Sequence, residues 1–102
     1  MTTVIWKYRL EVKDLQVFEI PYPAKALGVV VYQNPHEGAY REGVPFLYAI
    51  VDPSCDYETI QIYTIPTGEG GQKPLNVPIE HLNYVGTYVL DSGFVGHVFT
   101  KA

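Results

Sequence analysis

The chain has a single cysteine, Cys55, and only two serines, Ser54 and Ser92. One cysteine permits no internal disulfide, which points to a reducing compartment and away from a disulfide-stapled secreted scaffold. Charge is sparse too: seven Lys plus Arg against eleven Asp plus Glu leave a net charge of −4. The basic residues are scattered, which excludes the footprint of a direct nucleic-acid binder. No apolar run approaches the ~20 residues that carry a helix across a bilayer. No Asn-x-Ser/Thr sequon occurs. Met1-Thr2-Thr3 runs into a strand-like segment with neither a basic nor an apolar leader region, so no secretory signal is expected. These absences predict a protein of the cytoplasm with no membrane partner.

What is present is a chain of 102 residues, 47% hydrophobic, 14% aromatic and 18% charged. That composition excludes a disordered chain, and the length suits one domain spanning 1–102. A period-two alternation closed by turn residues recurs along it. Val4 to Leu10 places Val4, Trp6, Tyr8 and Leu10 on one face and Lys7 and Arg9 on the other. Further strands are expected over Leu15–Ile20, Ala26–Gln33, Phe46–Val51, Glu58–Ile65, Tyr84–Leu90 and Phe94–Thr100. Asp91-Ser92-Gly93 reads as a tight hairpin turn. His36 to Pro45 reads as a long, mobile polar loop, and Pro66 to Pro74 as the most flexible stretch. Residues 77–83 suit one helical turn, with Asn76 as N-cap and Pro78 in its first turn. The expected fold is all-β: about seven antiparallel strands in a small sandwich or a partly closed barrel. The third and fourth strands are apolar on both faces, which predicts a central position or burial in a homo-oligomer.

Catalytic constellations are hard to find. His36, His81 and His97 have no further His or Cys at a metal-ligand spacing, so no metal or cofactor is expected. Asp52, Asp56 and Glu58 surround Cys55 with negative charge, which suppresses thiolate formation and makes it inert. Ser54 and Ser92 lack a nucleophile-elbow context. His97 alternates with Val95 and Phe99 and shares their face, which suits a hydrogen-bonded histidine better than a catalytic one. A non-enzyme is therefore expected, with a small hydrolase using His97 and a carboxylate as the remote alternative.

Two features point to binding. In Thr67-Gly68-Glu69-Gly70-Gly71, successive amides could cradle an anion, with Lys73 nearby. A Walker loop needs Lys-Ser/Thr and a following helix, whereas here Pro74 follows, so a flexible linker is the simpler reading. The surplus tyrosines, among them Tyr48 and Tyr88, suit interfaces and flat-ring ligands as well as cross-strand pairing. The candidate ligand- or partner-binding residues are Thr67, Gly68, Gly70, Gly71, Lys73, Tyr48, Tyr88 and His97.

Several stretches form one ordered set: Ile5-Trp6-Lys7-Tyr8, Ile20-Pro21, Leu47 to Pro53, Thr67-Gly68, Val85-Gly86-Thr87-Tyr88 and Gly96-His97-Val98-Phe99. The set resembles a family of short, uncharacterised β-rich proteins of tailed phages, prophages and bacteria. The His36–Gly43 loop and the Glu69–Lys73 segment depart from the family's pattern. The resemblance implies a β-rich fold and a phage setting. Together with the missing catalytic groups, it leads to the expectation of an accessory protein acting in the host cytoplasm. Such a protein would bind a host protein or a small anionic signalling ligand, nucleotides included, as counter-defence proteins do. A virion or assembly component is the alternative from a different class.

Overall fold

Every alternating segment becomes a strand, within a residue or two of the turn residues that bound it. The computed structural model describes residues 2–68 and 75–101. The strands are β1 (Val4–Arg9), β2 (Leu15–Pro21), β3 (Lys25–Tyr32), β4 (Val44–Val51), β5 (Tyr57–Pro66), β6 (Leu82–Val89) and β7 (Val95–Lys101). Single 3-10 turns lie at Gly38–Tyr40 and Ile79–His81. No helix among the described residues is long and apolar enough to cross a membrane.

All pairings are antiparallel and fall into a three-stranded sheet, β1-β4-β3, and a four-stranded sheet, β2-β5-β7-β6. The layers stack face to face in a body of 45 × 41 × 16 Å, the short dimension expected of two sheets about 10 Å apart. Leu10, Leu47, Ile62, Tyr88 and Val98 form the buried centre between them, ringed by Tyr8, Phe18, Val29, Val85 and Phe94. Gln16 is also buried, and its amide is satisfied locally: Oε1 accepts from the Glu11 N–H at 2.9 Å and Nε2 donates to the Glu11 carbonyl at 2.8 Å.

The sheets approach closely on one side. A Cβ on Gly86 in β6 would stand 3.1 Å from the backbone nitrogen of Val29 in β3, so a side chain there would need the two strands to part by a few tenths of an ångström. Each of these edge strands has a register shift, between Ala26 and Gly28 and between Tyr84 and Gly86, and such irregularities bend a strand and sharpen its twist. The sheets nevertheless remain separate. The molecule is a sandwich and no closed barrel forms.

Three expectations need correction. β4 is central, but β3 is an edge strand, and Val30 on its outer side is 50% exposed. Within one chain its triple valine therefore has cover on one face only. Residues 34–45, expected as a featureless polar loop, carry a 3-10 turn and contacts of their own. The Tyr40 carbonyl accepts from the Asn34 N–H at 3.0 Å, and the Tyr40 ring meets Tyr32 edge-on and stacks on Phe46. The later turn starts further along than expected. Pro78 and not Asn76 occupies its N-cap position, and no side chain caps it.

Candidate functional site

The register of the last two strands builds a polar row on the outer face of the four-stranded sheet. His97 in β7 lies between Ile65 of β5 and Thr87 of β6. Because side chains alternate, Val95, His97 and Phe99 point outward while Gly96 and Val98 point into the core. Thr67 follows the end of β5, where its N–H donates to the Val95 carbonyl at 3.2 Å. That bond holds the threonine beside the imidazole.

Both ring nitrogens of His97 then find hydroxyl partners. Thr67 Oγ1 lies 2.6 Å from Nε2, and Thr87 Oγ1 lies 2.9 Å from Nδ1. Tyr84 extends the row, its hydroxyl 2.5 Å from Thr87 Oγ1 and its ring edge-on to Phe99. The four groups thus form one chain, Tyr84–Thr87–His97–Thr67, made of uncharged donors and acceptors around a single titratable imidazole. A neutral imidazole donates to one threonine and accepts from the other. An imidazolium donates to both, leaving both threonine protons free for an outside acceptor. The row is therefore a surface hydrogen-bonding patch of one imidazole and three hydroxyls.

Its surroundings are apolar. The exposed side chains on the same outer face include Val17 at 57%, Tyr84 at 62% and Val89 at 60%. Leu15 and Val17 of β2 lie outside because Gln16, Phe18 and Ile20 turn inward. This sheet therefore keeps a greasy outer face, with Glu19 and Lys101 toward its corners.

The residues singled out from sequence divide into separate places. Thr67 and His97 come together, and Gly68 is exposed next to Thr67. Gly70, Gly71 and Lys73 lie outside the described residues. Tyr48 sits on the outer side of the other sheet, half-buried, paired with Lys7 and Gly28. Tyr88 faces the core and is 2% exposed, so its ring is a packing element and does not reach the surface. Its hydroxyl is buried without a hydrogen-bond partner. Burial pushes the Tyr88 phenol up from its ordinary range, an effect that the nearby Thr64 hydroxyl partly offsets without reaching hydrogen-bonding geometry.

Sequence reasoning missed Thr87 and Tyr84 as members of the row. The signal was available for Thr87. Folding the hairpin about Asp91-Ser92-Gly93 sets position 89 against 95, 88 against 96 and 87 against 97. Elsewhere the candidates stay apart. Asp52 accepts from the Ser54 hydroxyl at 2.6 Å and the Ser54 N–H at 3.0 Å, and these bonds lower its pKa in a local turn. Among the described residues, no group of three or more His, Cys, Asp and Glu could hold a metal ion.

A family model described as a domain of unknown function, DUF7352, matches residues 1–102. The chain belongs to the DUF7352 family. No curated protein and no solved structure matches it. The function of this DUF7352 domain is therefore argued from its own surface.

Proposed function

We propose that this DUF7352 domain is a non-enzymatic binding module. It acts as an accessory protein of a phage or prophage in the host cytoplasm and docks a host protein on the outer face of its four-stranded sheet. One observation carries the reading: a charge-poor apolar face whose centre is the Tyr84–Thr87–His97–Thr67 row. Aromatic enrichment and loss of charge mark the cores of protein interfaces, where a few buried hydrogen bonds fix register. Small-molecule sites are concave, whereas this row lies on an open sheet. A net charge of −4 steers the domain toward a basic partner surface.

A photo-crosslinking amino acid at position 89 tests this in bacterial cytosol, with the same probe at Ile5 on the other sheet as control. The expected result is one defined adduct from position 89, lost in the Val17→Asp variant and absent from position 5. Equal adducts from both positions would overturn it. A thermal shift with nucleotides that His97→Gln removes would instead reassign the face to a small anionic ligand.

A second reading rests on the 2.6 Å separation of Thr67 Oγ1 from His97 Nε2, the distance of a nucleophile from its base. Against it, a threonine hydroxyl and not a carboxylate orients the imidazole at Nδ1. Covalent labelling of Thr67 by a fluorophosphonate would establish hydrolase chemistry and displace the binding reading.

A further inference from the structure

The scatter of cations along the sequence does not survive folding on the three-stranded sheet. Lys7 and Arg9 of β1 and Lys25 of β3 alternate with inward residues and share its outer face. Across β4, Lys7 lies opposite Tyr48, Arg9 opposite Phe46 and Lys25 opposite Ile50. The three exposed cations therefore stand in three successive rows, about 7 Å apart along the strands. None of them forms a salt bridge among the described residues. No outward position of the three strands carries a carboxylate. Acidic side chains in the adjoining segments lie beyond the strand ends: Glu11 is paired with Lys13, Asp52 accepts from Ser54, and Glu37 and Glu42 flank the Gly38–Tyr40 turn. In a chain of net charge −4, this face is positive.

Aromatic rings are interleaved with these cations. Tyr48 is half-buried on the central strand and, among the described residues, belongs to no aromatic pair. Its neighbour on β3 is Gly28, where a Cβ would meet nothing within 4 Å, so the floor beside the ring is open. Tyr32 is 42% exposed and lies about 13 Å further along β3 from that glycine. Lys7 Nζ lies over the Phe46 and Tyr32 rings. An open sheet that offers flat rings with cations between them suits a strand of unpaired nucleotides, whose bases stack on the rings while its phosphates follow the charges. An acidic peptide would use the cations and leave the rings idle.

We propose that the outer face of the three-stranded sheet binds single-stranded nucleic acid without sequence preference. Tyr48 and Tyr32 stack bases, and Lys7, Arg9 and Lys25 meet phosphates. The site lies on the opposite side of the sandwich from the Tyr84–Thr87–His97–Thr67 row and is independent of the reading given to that row. It departs from the expectation drawn from the spread of basic residues in the sequence, because strand order brings residues 7, 9 and 25 together.

Fluorescence polarisation of end-labelled deoxythymidine and uridine oligomers, each about ten nucleotides long, tests this and distinguishes DNA from RNA. The logarithm of affinity should fall against that of salt with a slope of about −2, the value for three phosphates at about −0.7 each. Lys25→Gln, a change at an exposed position, should flatten the slope by about 0.7. Tyr48→Leu should weaken binding about fivefold, and Tyr48→Phe, which keeps a stacking ring, should not. The Lys25→Gln comparison stands by itself should Tyr48→Leu not fold. No polarisation change at about 100 μM protein in about 50 mM salt would overturn the proposal. Binding by Tyr48→Leu equal to that of the original chain, or equally tight binding of a duplex of the same length, would remove the stacking role and overturn it too. Displacement of the oligomer by polyglutamate at equal charge would assign the face to an acidic protein instead.

Discussion

Tyr88 and Gly96 face each other across β6 and β7, and the phenol ring occupies the space that a side chain at position 96 would need. A Cβ there would stand 2.8 Å from Tyr88 Cζ, 2.9 Å from Thr64 Cγ2 and 3.0 Å from Phe94 Cε2. All three neighbours are held: Thr64 and Tyr88 are buried, and Phe94 packs against the core cluster. Gly96→Ala is therefore an overpacking change, expected to cost ~1–3 kcal/mol. Urea unfolding reads it as a lower midpoint at unchanged slope. An unmoved midpoint would show that the rings swing aside freely.

The hydroxyl of the same tyrosine gives a second prediction. It is buried and unpartnered, and burial raises the Tyr88 pKa above its ordinary value. The folded state thus holds the phenol proton more firmly than the unfolded chain does. The stability linked to that proton is complete below the unfolded tyrosine pKa of about 10 and is lost as pH climbs from there through the folded value. Tyr8, raised mainly by burial and further by Tyr57, adds loss in the same window. Tyr88→Phe should be close to neutral at pH about 7, because it removes an unsatisfied buried group without leaving another. Above pH about 10 it should unfold later than the original chain. Thermal melts across that range check both halves, and an identical alkaline decline in the two proteins would refute the assignment.

For the outer-face row, Thr87→Val separates hydrogen bonding from shape. The change removes the 2.9 Å contact to His97 Nδ1 and the Tyr84 contact together, at an exposed position. Stability should move by no more than ~0.5 kcal/mol, as at other surface sites. The imidazole should respond instead. With Thr67 as its one remaining partner, its tautomer balance changes, and long-range nitrogen-15 spectra of His97 report that directly. Unaltered nitrogen shifts would mean that the row is not maintained in solution.

The strands were legible because their alternation is strong and Asn, Asp, Gly and Pro close each run. Trp6 is a case in point. Its partners Val4 and Tyr8 share its face, and the chain places that face inward against Ala49. What alternation could not supply is how far a residue lies from the sheet's edge. Trp6 is on an edge strand and only half-buried, so Trp6→Ala should cost less than the ~3–5 kcal/mol of a fully buried aromatic. The same gap explains β3, where three valines suggested cover on both sides. His97 could be placed on its face from sequence, but its hydroxyl neighbours come from β6 and from the residue that follows β5. Strand order, which periodicity does not encode, is what joins them.

Strand order also explains a buried aromatic on an outer face. Phe46 belongs to the outward set of β4, yet it is only 6% exposed. Its cover comes from both sides of the central strand. Tyr40 stacks on it from the 3-10 turn, and Lys7 of β1 places Nζ 4.8 Å from its ring centre and 5.7 Å from that of Tyr32. The lysine stem shields the ring while the ammonium meets its π-face. Lys7→Ala should therefore lower stability by about 1 kcal/mol. Lys7→Met, which keeps the stem without the charge, should recover part of that loss. No carboxylate forms an ion pair with Lys7 among the described residues, where the Lys13–Glu11 pair is the recorded salt bridge. The Lys7→Ala loss should then persist in molar salt, where exposed ion pairs are screened. Urea unfolding of the variants at low and high salt decides it. Disappearance of the difference at high salt would assign the effect to long-range charge and take the cation away from the ring.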